Sequence, residues 1–300
     1  MAGCSCTGNL GNTGFPDVKP FGAVKSVFLM PLFDSAGNRN KIDLTQPIQA
    51  QLLAGLYNSD PSKRIYPFAG LSTFTEEEAE ATNATNQQGL NTVTRRGVRS
   101  VLFEKWGVNE QFYNKTKSAC VEFGIFTIDV CNNFKGRKSG DELYPMDIFQ
   151  GSHHSIFMNK TVDADSMVRF TMQYSDVEGT VNNRWMIAEC EHTIDLNRVS
   201  GMFDVELALV KVDTTNFTVQ ANLGYGTALA QTPVNGLILG NFTFKDGTGA
   251  TVTPSGISDE GNGLYTFTVT AVPTTLTATL FVTGTVDARG LEGTATVTFP

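Results

Sequence analysis

Apolar and polar positions alternate along most of the chain, and this alternation predicts β-strands. In the segment 261–271 (GNGLYTFTVTA), Tyr265 and Phe267 fall on one face of an extended chain and threonines fall on the other, because successive side chains of a strand point to opposite sides. Comparable patterns predict strands within 23–33, 92–106 and 118–134. The last of these segments is apolar on both faces, which indicates a central strand buried on each side.

Two segments carry helix signals. Between Thr45 and Pro61, apolar residues recur at four-residue steps, which predicts one amphipathic helix with Thr45 as its cap. Thr75 and Glu78 have the spacing of a capping box and predict the start of a second helix.

Polar segments predict loops and turns. The stretch at about 79–91 offers no face to bury, which is typical of an interaction loop. The run 134–147 (FKGRKSGDELYPMD) predicts a mobile hairpin tip or loop. The segment 168–196 contains two extended runs around a polar turn and predicts an antiparallel hairpin.

The composition changes near residue 226, and the chain is therefore divided into three parts. Residues 1–22 are small, polar and rich in glycine, and predict an extended N-terminal arm. Residues 23–226 predict a first β domain with one or two helices and long interaction loops. Residues 227–300 contain short strands separated by turns, which favours an immunoglobulin-like β-sandwich. The expected fold class is mainly β, with an α+β first domain of sandwich or barrel type.

Charge and cysteine content exclude several classes of protein. The formal net charge of −8 and the pI near 4.9 argue against a general affinity for nucleic acid. We expect no membrane span and no signal peptide, since the apolar runs are short and the N-terminus lacks basic and apolar regions. Five cysteines at irregular spacing predict no disulfide framework and favour synthesis in a reducing cytoplasm.

Three groups of residues suggest metal binding, and an ordinary structural role is favoured for each. Cys4 and Cys6 lie in a glycine-rich arm without further ligands, and their role stays open. Cys190 and His192 share a largely apolar strand face, so a hydrogen-bonded core histidine is the favoured interpretation. His153 and its neighbour His154 point to opposite sides of an extended chain. We therefore expect no metal site.

Carboxylates on one strand face suggest sugar chemistry. Glu189, Glu191 and Asp195 alternate along a predicted strand, and two of them spaced about 7 Å apart could act on a sugar beside Trp185. A solvated strand face is the favoured alternative. No nucleophile elbow, phosphate-binding loop, zinc-protease motif or complete dinucleotide fingerprint occurs. We therefore expect no enzyme, no catalytic residue and no cofactor.

The order of an N-terminal arm, a first β domain with a polar loop and a helix, and an appended Ig-like domain resembles the tail-tube and neck-ring proteins of tailed bacteriophages. The strings that carry the resemblance are VKSVFLMPLF, TVTRRGVRSVLFEKWG, MQYSDVEGTVNNRWMIAECEHTID and GNGLYTFTVTAVPTTLTATLFVTG. A head fibre or a gut-phage ring protein of the crAss-like type is the next closest resemblance. The resemblance covers most of the chain in architecture and supplies no site residue.

The resemblance implies a virion structural protein, made in the host cytoplasm and located in the phage tail or head–tail neck. Its partners would be copies of itself in a ring, the virion proteins above and below, and DNA that passes through the channel during ejection without specific binding. An external Ig-like domain would contact host-surface glycans. The arginines Arg95, Arg96 and Arg99 would face a neighbouring subunit; a solvated strand face is the alternative. A capsid decoration or head-fibre protein and, lower in rank, a carbohydrate-binding β protein remain alternative functions.

Overall fold

The computed structural model describes residues 22–80, 82–85, 91–95, 97–108, 110–117, 122–175, 184–187, 194–224, 231–284 and 289–299. Contacts divide the chain into two compact units, Met1–Val199 and Ser200–Pro300. Both are built from β-sheets, so the prediction of a mainly β protein is confirmed. The predicted arm, apart from Gly22, lies outside the described residues.

The first unit contains fourteen described strands and two described α-helices. In chain order these are β1 (Val24–Pro31), β2 (Ile42–Asp43), α1 (Ile48–Leu56), β3 (Tyr66–Phe68), β4 (Thr73–Glu78), β5 (Thr82–Thr85), β6 (Asn91–Arg95), β7 (Arg99–Trp106), α2 (Glu110–Lys117), β8 (Phe123–Asp129), β9 (Phe134–Ser139), β10 (Glu142–Tyr144), β11 (Met146–Asp147), β12 (His154–Met158), β13 (Met167–Gln173) and β14 (Arg184–Ile187).

The larger sheet of the first unit has the strand order β2-β10-β9-β8-β1-β3, with β11 paired to β8 and β14 paired to β9. Strand β8 is buried on both faces, as its sequence predicted. On one face of the neighbouring strand β1, Val27 and Leu29 enter a core that lies between two sheets. On the other face, Phe28 lies 6.4 Å from the ring of Phe134.

The smaller sheet has the order β12-β13-β7-β4 and closes the core of the first unit. Alternate residues of β7 and β13 point inward, and the rings of Phe103 and Phe170 stack with centroids 4.9 Å apart. Phe68 of the larger sheet meets both rings edge-on. The first unit is therefore a two-layer β structure held by an aromatic core.

The helices differ partly from expectation. Helix α1 lies within the predicted segment, but its N-cap is Pro47 and no side chain caps it. The expected cap, Thr45, instead donates its hydroxyl to Asp43 in the preceding turn. Helix α2 was not predicted; its Tyr113 ring stacks on Phe157 of β12.

Two further expectations are wrong, and the expected hairpin tip or loop at 134–147 is right only in that β9 and β10 form a hairpin. The predicted capping box at Thr75 and Glu78 lies inside β4, where long-range pairing with β7 outweighs the local helix signal. The run 134–147 forms β9, β10 and β11, with Gly140 in the tight turn at a φ of +61°. The two described strands of the predicted hairpin at 168–196 do not pair with each other, because β13 pairs with β7 and β12 whereas β14 pairs with β9.

The loop expected at about 79–91 is described in part. Strand β5 lies within it and pairs antiparallel with β6, which begins at Asn91 where the expected loop ends. The extended segment expected at 92–106 is accordingly two strands, β6 and β7, and they lie in different sheets.

The C-terminal unit contains eight described strands. They are β15 (Met202–Lys211), β16 (Asn216–Leu223), β17 (Phe242–Asp246), β18 (Thr251–Val252), β19 (Gly256–Gly261), β20 (Leu264–Thr268), β21 (Thr275–Val282) and β22 (Gly290–Thr298). Their order is β18-β17-β21-β22-β15-β16-β20-β19, in which β15 joins two sheets. With the strands lettered A to G along the chain, one sheet is ABED and the other is CFG with an added C′, the order of an immunoglobulin-like sandwich.

This unit begins earlier than the sequence indicated. The boundary was expected at 226/227, but β15 and β16 pair with β22 and β20 and complete the sandwich. The division between the units therefore lies at Val199 and Ser200. The composition change near 226 marks the connection between strands B and C.

The core of the C-terminal unit is aromatic. Phe217, Phe244 and Phe267 are fully buried, with ring centroids about 5 Å apart. Tyr265 is also buried, and its hydroxyl donates to the carbonyl of Val234 at 2.8 Å and accepts from the N–H of Leu237. Through Tyr265, strand β20 thus holds the link between β16 and β17 in place.

Candidate assembly surface

The outer face of the four-stranded sheet in the first unit is the candidate assembly surface. Val101, Phe103 and Phe170 point into the core, so the alternate residues of β7 and β13 point outward. Strand register places the outward residues in cross-strand rows. These rows are Met158–Met167–Trp106, then Ile156–Arg169–Glu104–Thr73, then His154–Thr171–Leu102–Thr75, and finally Gln173–Ser100–Glu77.

The first row is apolar and exposed. Trp106 is 53% exposed, and Ile156 of the adjacent row is 39% exposed. Met158 and Met167 are half-buried beside them. Aromatic residues and methionine are enriched in protein interfaces, and an exposed apolar patch commonly marks a binding site. We call Trp106, Met158, Met167 and Ile156 the apolar row.

An ion pair borders the apolar row. Arg169 donates from Nε to Glu104 Oε1 at 2.6 Å, and the Glu104 side chain is only 9% exposed although it lies on the outer face. The charges of this pair neutralise each other beside the apolar row. The surface therefore offers apolar area without an uncompensated charge at its centre.

The arginine patch expected at 95–99 is described only in part. Arg99 shares the inner side of β7 with Val101 and pairs with Glu76 of β4, with Nε and Oε1 3.1 Å apart. The two side chains are 18% and 16% exposed. Arg99 thus has an acidic partner in its own chain, contrary to the expectation that it faces a neighbouring subunit. The side chains of Arg95 and Arg96 lie outside the described residues.

A second cluster was missed by the sequence analysis. Arg39 and Arg137 both approach the carboxylate of Asp147, and both guanidinium groups lie over the ring of Tyr144, 5.2 and 5.7 Å from its centroid. The Tyr144 hydroxyl donates to Glu142, and this hydrogen bond raises the pKa of Tyr144. The cluster ties the segment before β2 to strands β9, β10 and β11. We assign it to the internal structure of the first unit.

His153 and His154 point to opposite sides, as expected. His154 is exposed at the start of β12, whereas the ring of His153 lies 5.9 Å from Phe170 and bonds to the backbone of Thr116. Burial lowers the pKa of His153, because removal from water disfavours its charged form. A neutral histidine here contacts helix α2 and the aromatic core together.

The remaining candidate residues are mostly outside the described part of the chain. Cys4, Cys6, Glu189, Cys190, Glu191 and His192 fall there. Trp185 lies on β14 without a described side chain, and Asp195 accepts from the Asn197 N–H at the start of a turn. Where side chains are described, no three His, Cys, Asp or Glu residues come together as a metal site. Neither described α-helix has the length and apolarity for a bilayer crossing.

The apolar row could have been found from the sequence. Leu102 and Trp106 occupy the same face of the predicted strand 92–106 as Ser100. Two large apolar residues on the polar face of a strand are the available signal. The sequence alone does not show that β13 lies beside β7 and β12 beside β13. Met167 and Met158 come next to Trp106 only through the register of these strands.

Searches against protein-family models, curated proteins and solved structures found no match to this chain. Its function is therefore argued from the chain's own surfaces and fold.

Proposed function

We propose that the chain is a structural protein of a bacteriophage virion. One copy would be a subunit of an oligomeric ring or tube in the tail or head–tail neck, around the channel through which DNA passes. The observation that carries the proposal is the apolar row on the outer face of the smaller sheet, which suits contact with a neighbouring subunit. The order of a two-layer β unit followed by an Ig-like sandwich supports it further.

Charge supports the passage of DNA rather than its capture. The chain carries a net charge of −8, and a ring of such subunits would repel the phosphate backbone from its wall. The Ig-like unit carries threonines on its outward positions and would remain outside the ring, where it could meet glycans of the host surface.

The test is negative-stain microscopy of the purified chain, with light scattering for mass. We expect closed rings or tubes from the wild-type chain. Trp106→Glu should abolish them, because a carboxylate in the apolar row must lose its hydration to enter a contact. Thr279→Glu is the matched control, since it adds the same charge at an exposed strand position of the C-terminal unit.

Each outcome is informative. Rings from Thr279→Glu but not from Trp106→Glu support assembly through the apolar row. Rings that persist in Trp106→Glu would remove this surface from the proposal. Discrete monomers or trimers of the wild-type chain would contradict a self-assembling ring and favour the alternative of a capsid decoration or head-fibre protein.

A further inference from the structure

On one side of the last strand of the C-terminal unit, no described strand pairs with its final residues. Strands β15 and β22 run parallel, and their register ends at Asp204 and Glu292. At Gly293 the two strands are still in close contact, since a Cβ atom added to Gly293 would lie 2.3 Å from the carbonyl oxygen of Val205. Beyond this point β15 pairs with β16 alone. An open groove of about 570 Å³ separates the ends of the two strands, lined by 209–214 and 297–299.

Strand register shows which backbone groups of β22 point away from β21, and of these residues Thr298 lines the groove. The N–H of Phe299 donates to the carbonyl of Thr274, so the odd-numbered residues of β22 form the hydrogen-bonded pairs with β21. In an antiparallel ladder the intervening residues direct their N–H and C=O groups to the opposite side. Thr294, Thr296 and Thr298 therefore present backbone donors and acceptors at the free edge.

The two outermost strands of this unit, β18 and β19, carry protection, whereas the end of β22 does not. Strand β18 has only two residues, and β19 carries Asp259, Glu260 and a register shift. Short strands, charges and bulges are the usual means by which proteins prevent edge-to-edge pairing. The sequence 294–299 (TATVTF) contains no charge, no proline and no bulge. Its threonines and valine favour the extended conformation.

We propose that this free edge of β22 binds the same edge of a second copy of the chain. The strands would run antiparallel about a two-fold axis at Thr296, with Thr294 opposite Thr298 of the second copy. Identical edges are self-complementary in this arrangement, and about six backbone hydrogen bonds would form. The proposal goes beyond the ring, because it uses the C-terminal unit and does not depend on the apolar row.

Side chains fit the same register. Threonine hydroxyls already pair across β21 and β22, Thr275 with Thr298 at 3.2 Å and Thr277 with Thr296 at 2.9 Å. Pairing of two β22 edges would extend this row of threonines into the second copy. Since 294–299 carries no charge, no like charges would meet at the centre of the contact.

The first test is the mass of the full chain by sedimentation velocity over a range of about 1–100 μM, in the Trp106→Glu background, which removes the apolar row. We expect a concentration-dependent dimer. Thr296→Pro should weaken it at least about tenfold, because proline removes an N–H that points away from β21 and none that bonds to β21. Thr296→Lys should act similarly by charging the edge.

Thr277→Lys is the matched control. It breaks the same hydroxyl pair, but on strand β21, which lies inside the sheet, and it should leave the dimer unchanged. A chain that stays monomeric at the highest concentration, or a Thr296→Pro variant that dimerises like its parent, would overturn the proposal. If Thr277→Lys weakened the dimer as much as Thr296→Pro, the proposal would also be overturned, because the threonine pair rather than the strand edge would then account for dimerisation.

A second measurement tests the register independently of affinity and of ring assembly. Two copies of Thr296→Cys would face each other with Cα atoms about 5.5 Å apart, a distance that suits a disulfide. Mild oxidation of the full-length variant should give a covalent dimer on a non-reducing gel, above the background from the native cysteines of the wild-type chain. Thr277→Cys should give no more than that background. No excess dimer from Thr296→Cys would contradict the two-fold register.

Discussion

The two units present different outer faces to their surroundings. In the first unit, the outer face of the sheet β12-β13-β7-β4 carries Trp106, Ile156 and two methionines. In the C-terminal unit, the outward positions of β21 and β22 are largely threonines, two pairs of which are joined by their hydroxyls. Burial of aromatic and methionine side chains against a partner is favourable because it removes apolar surface from water, whereas threonine side chains are well solvated by water. We therefore expect the first unit to bind a partner through side chains and the C-terminal unit to do so through backbone groups at a strand edge.

The largest expected effect tests whether the two units are independent in stability. Phe267→Ala removes a fully buried ring from the aromatic core of the C-terminal unit and should cost about 3–5 kcal/mol of unfolding free energy. Denaturant unfolding followed by near-ultraviolet circular dichroism should show one transition moving to lower denaturant. Because Phe267 belongs to the core cluster of the C-terminal unit, the transition of the first unit should stay in place.

The control for this prediction is Thr279→Ala, an exposed position on β21 that should change stability by less than about 0.5 kcal/mol. If Phe267→Ala lowers both transitions equally, the two units unfold as one body and the comparison between them fails as a statement about stability.

Some strands of the first unit could be predicted from the sequence and others could not, for physical reasons. Strands β1 and β8 were predicted because apolar residues on both faces leave few alternatives to a buried strand. The helix start expected at Thr75 failed, because a capping box is a local signal whereas β4 is fixed by distant pairing with β7. The hairpin expected at 168–196 failed because β13 pairs with β12 and β7 whereas β14 pairs with β9, so the two described strands do not pair with each other.

The boundary near 226 shows a different limit. Composition changes where threonine-rich strands begin, but the Ig-like sandwich also needs its first two strands, β15 and β16. These strands carry charged residues such as Glu206 and Lys211 and resemble the first unit in composition. A seven-stranded sandwich takes about 100 residues, and this length is the signal that would have placed the boundary earlier.

An intermediate effect is expected at the ion pair of Arg99 and Glu76. Arg99→Glu places two carboxylates together at a site where both side chains are less than a fifth exposed, and should cost about 2–3 kcal/mol in the first unit. The double variant Arg99→Glu with Glu76→Arg restores opposite charges and should recover at least half of this loss. Unfolding by denaturant measures both variants.

This pair of variants also separates folding from assembly. If Arg99 acted on a neighbouring subunit, single charge reversal would leave the stability of the first unit unchanged and abolish ring formation, and the double variant would not repair it. Recovery of stability in the double variant would show that Arg99 stabilises the first unit through Glu76. The apolar row would then remain the surface proposed for contact with a neighbouring subunit.

The smallest expected effect is a pH dependence in the first unit. Burial holds the pKa of His153 below its usual value, so the unfolded chain binds a proton more readily than the folded chain. The contribution of neutral His153 to stability is complete above the unfolded pKa of about 6.5 and falls as the pH drops towards the folded pKa. A single group can account for at most about 1.3 kcal/mol between pH 7 and pH 5.5.

The groups around His153 make the effect specific to helix α2. The ring bonds to the backbone of Thr116 near the end of that helix and lies beside Phe170, and among the described residues His154 is the neighbouring charge that further lowers its pKa. His153→Gln should flatten the pH dependence of the first transition between pH 7 and 5.5, whereas His154→Gln, at an exposed position, should preserve it. The C-terminal unit contains no histidine, so its transition should not move over this range. Equal pH dependence in both transitions would show that carboxylates rather than His153 control acid stability, and would remove this difference between the units.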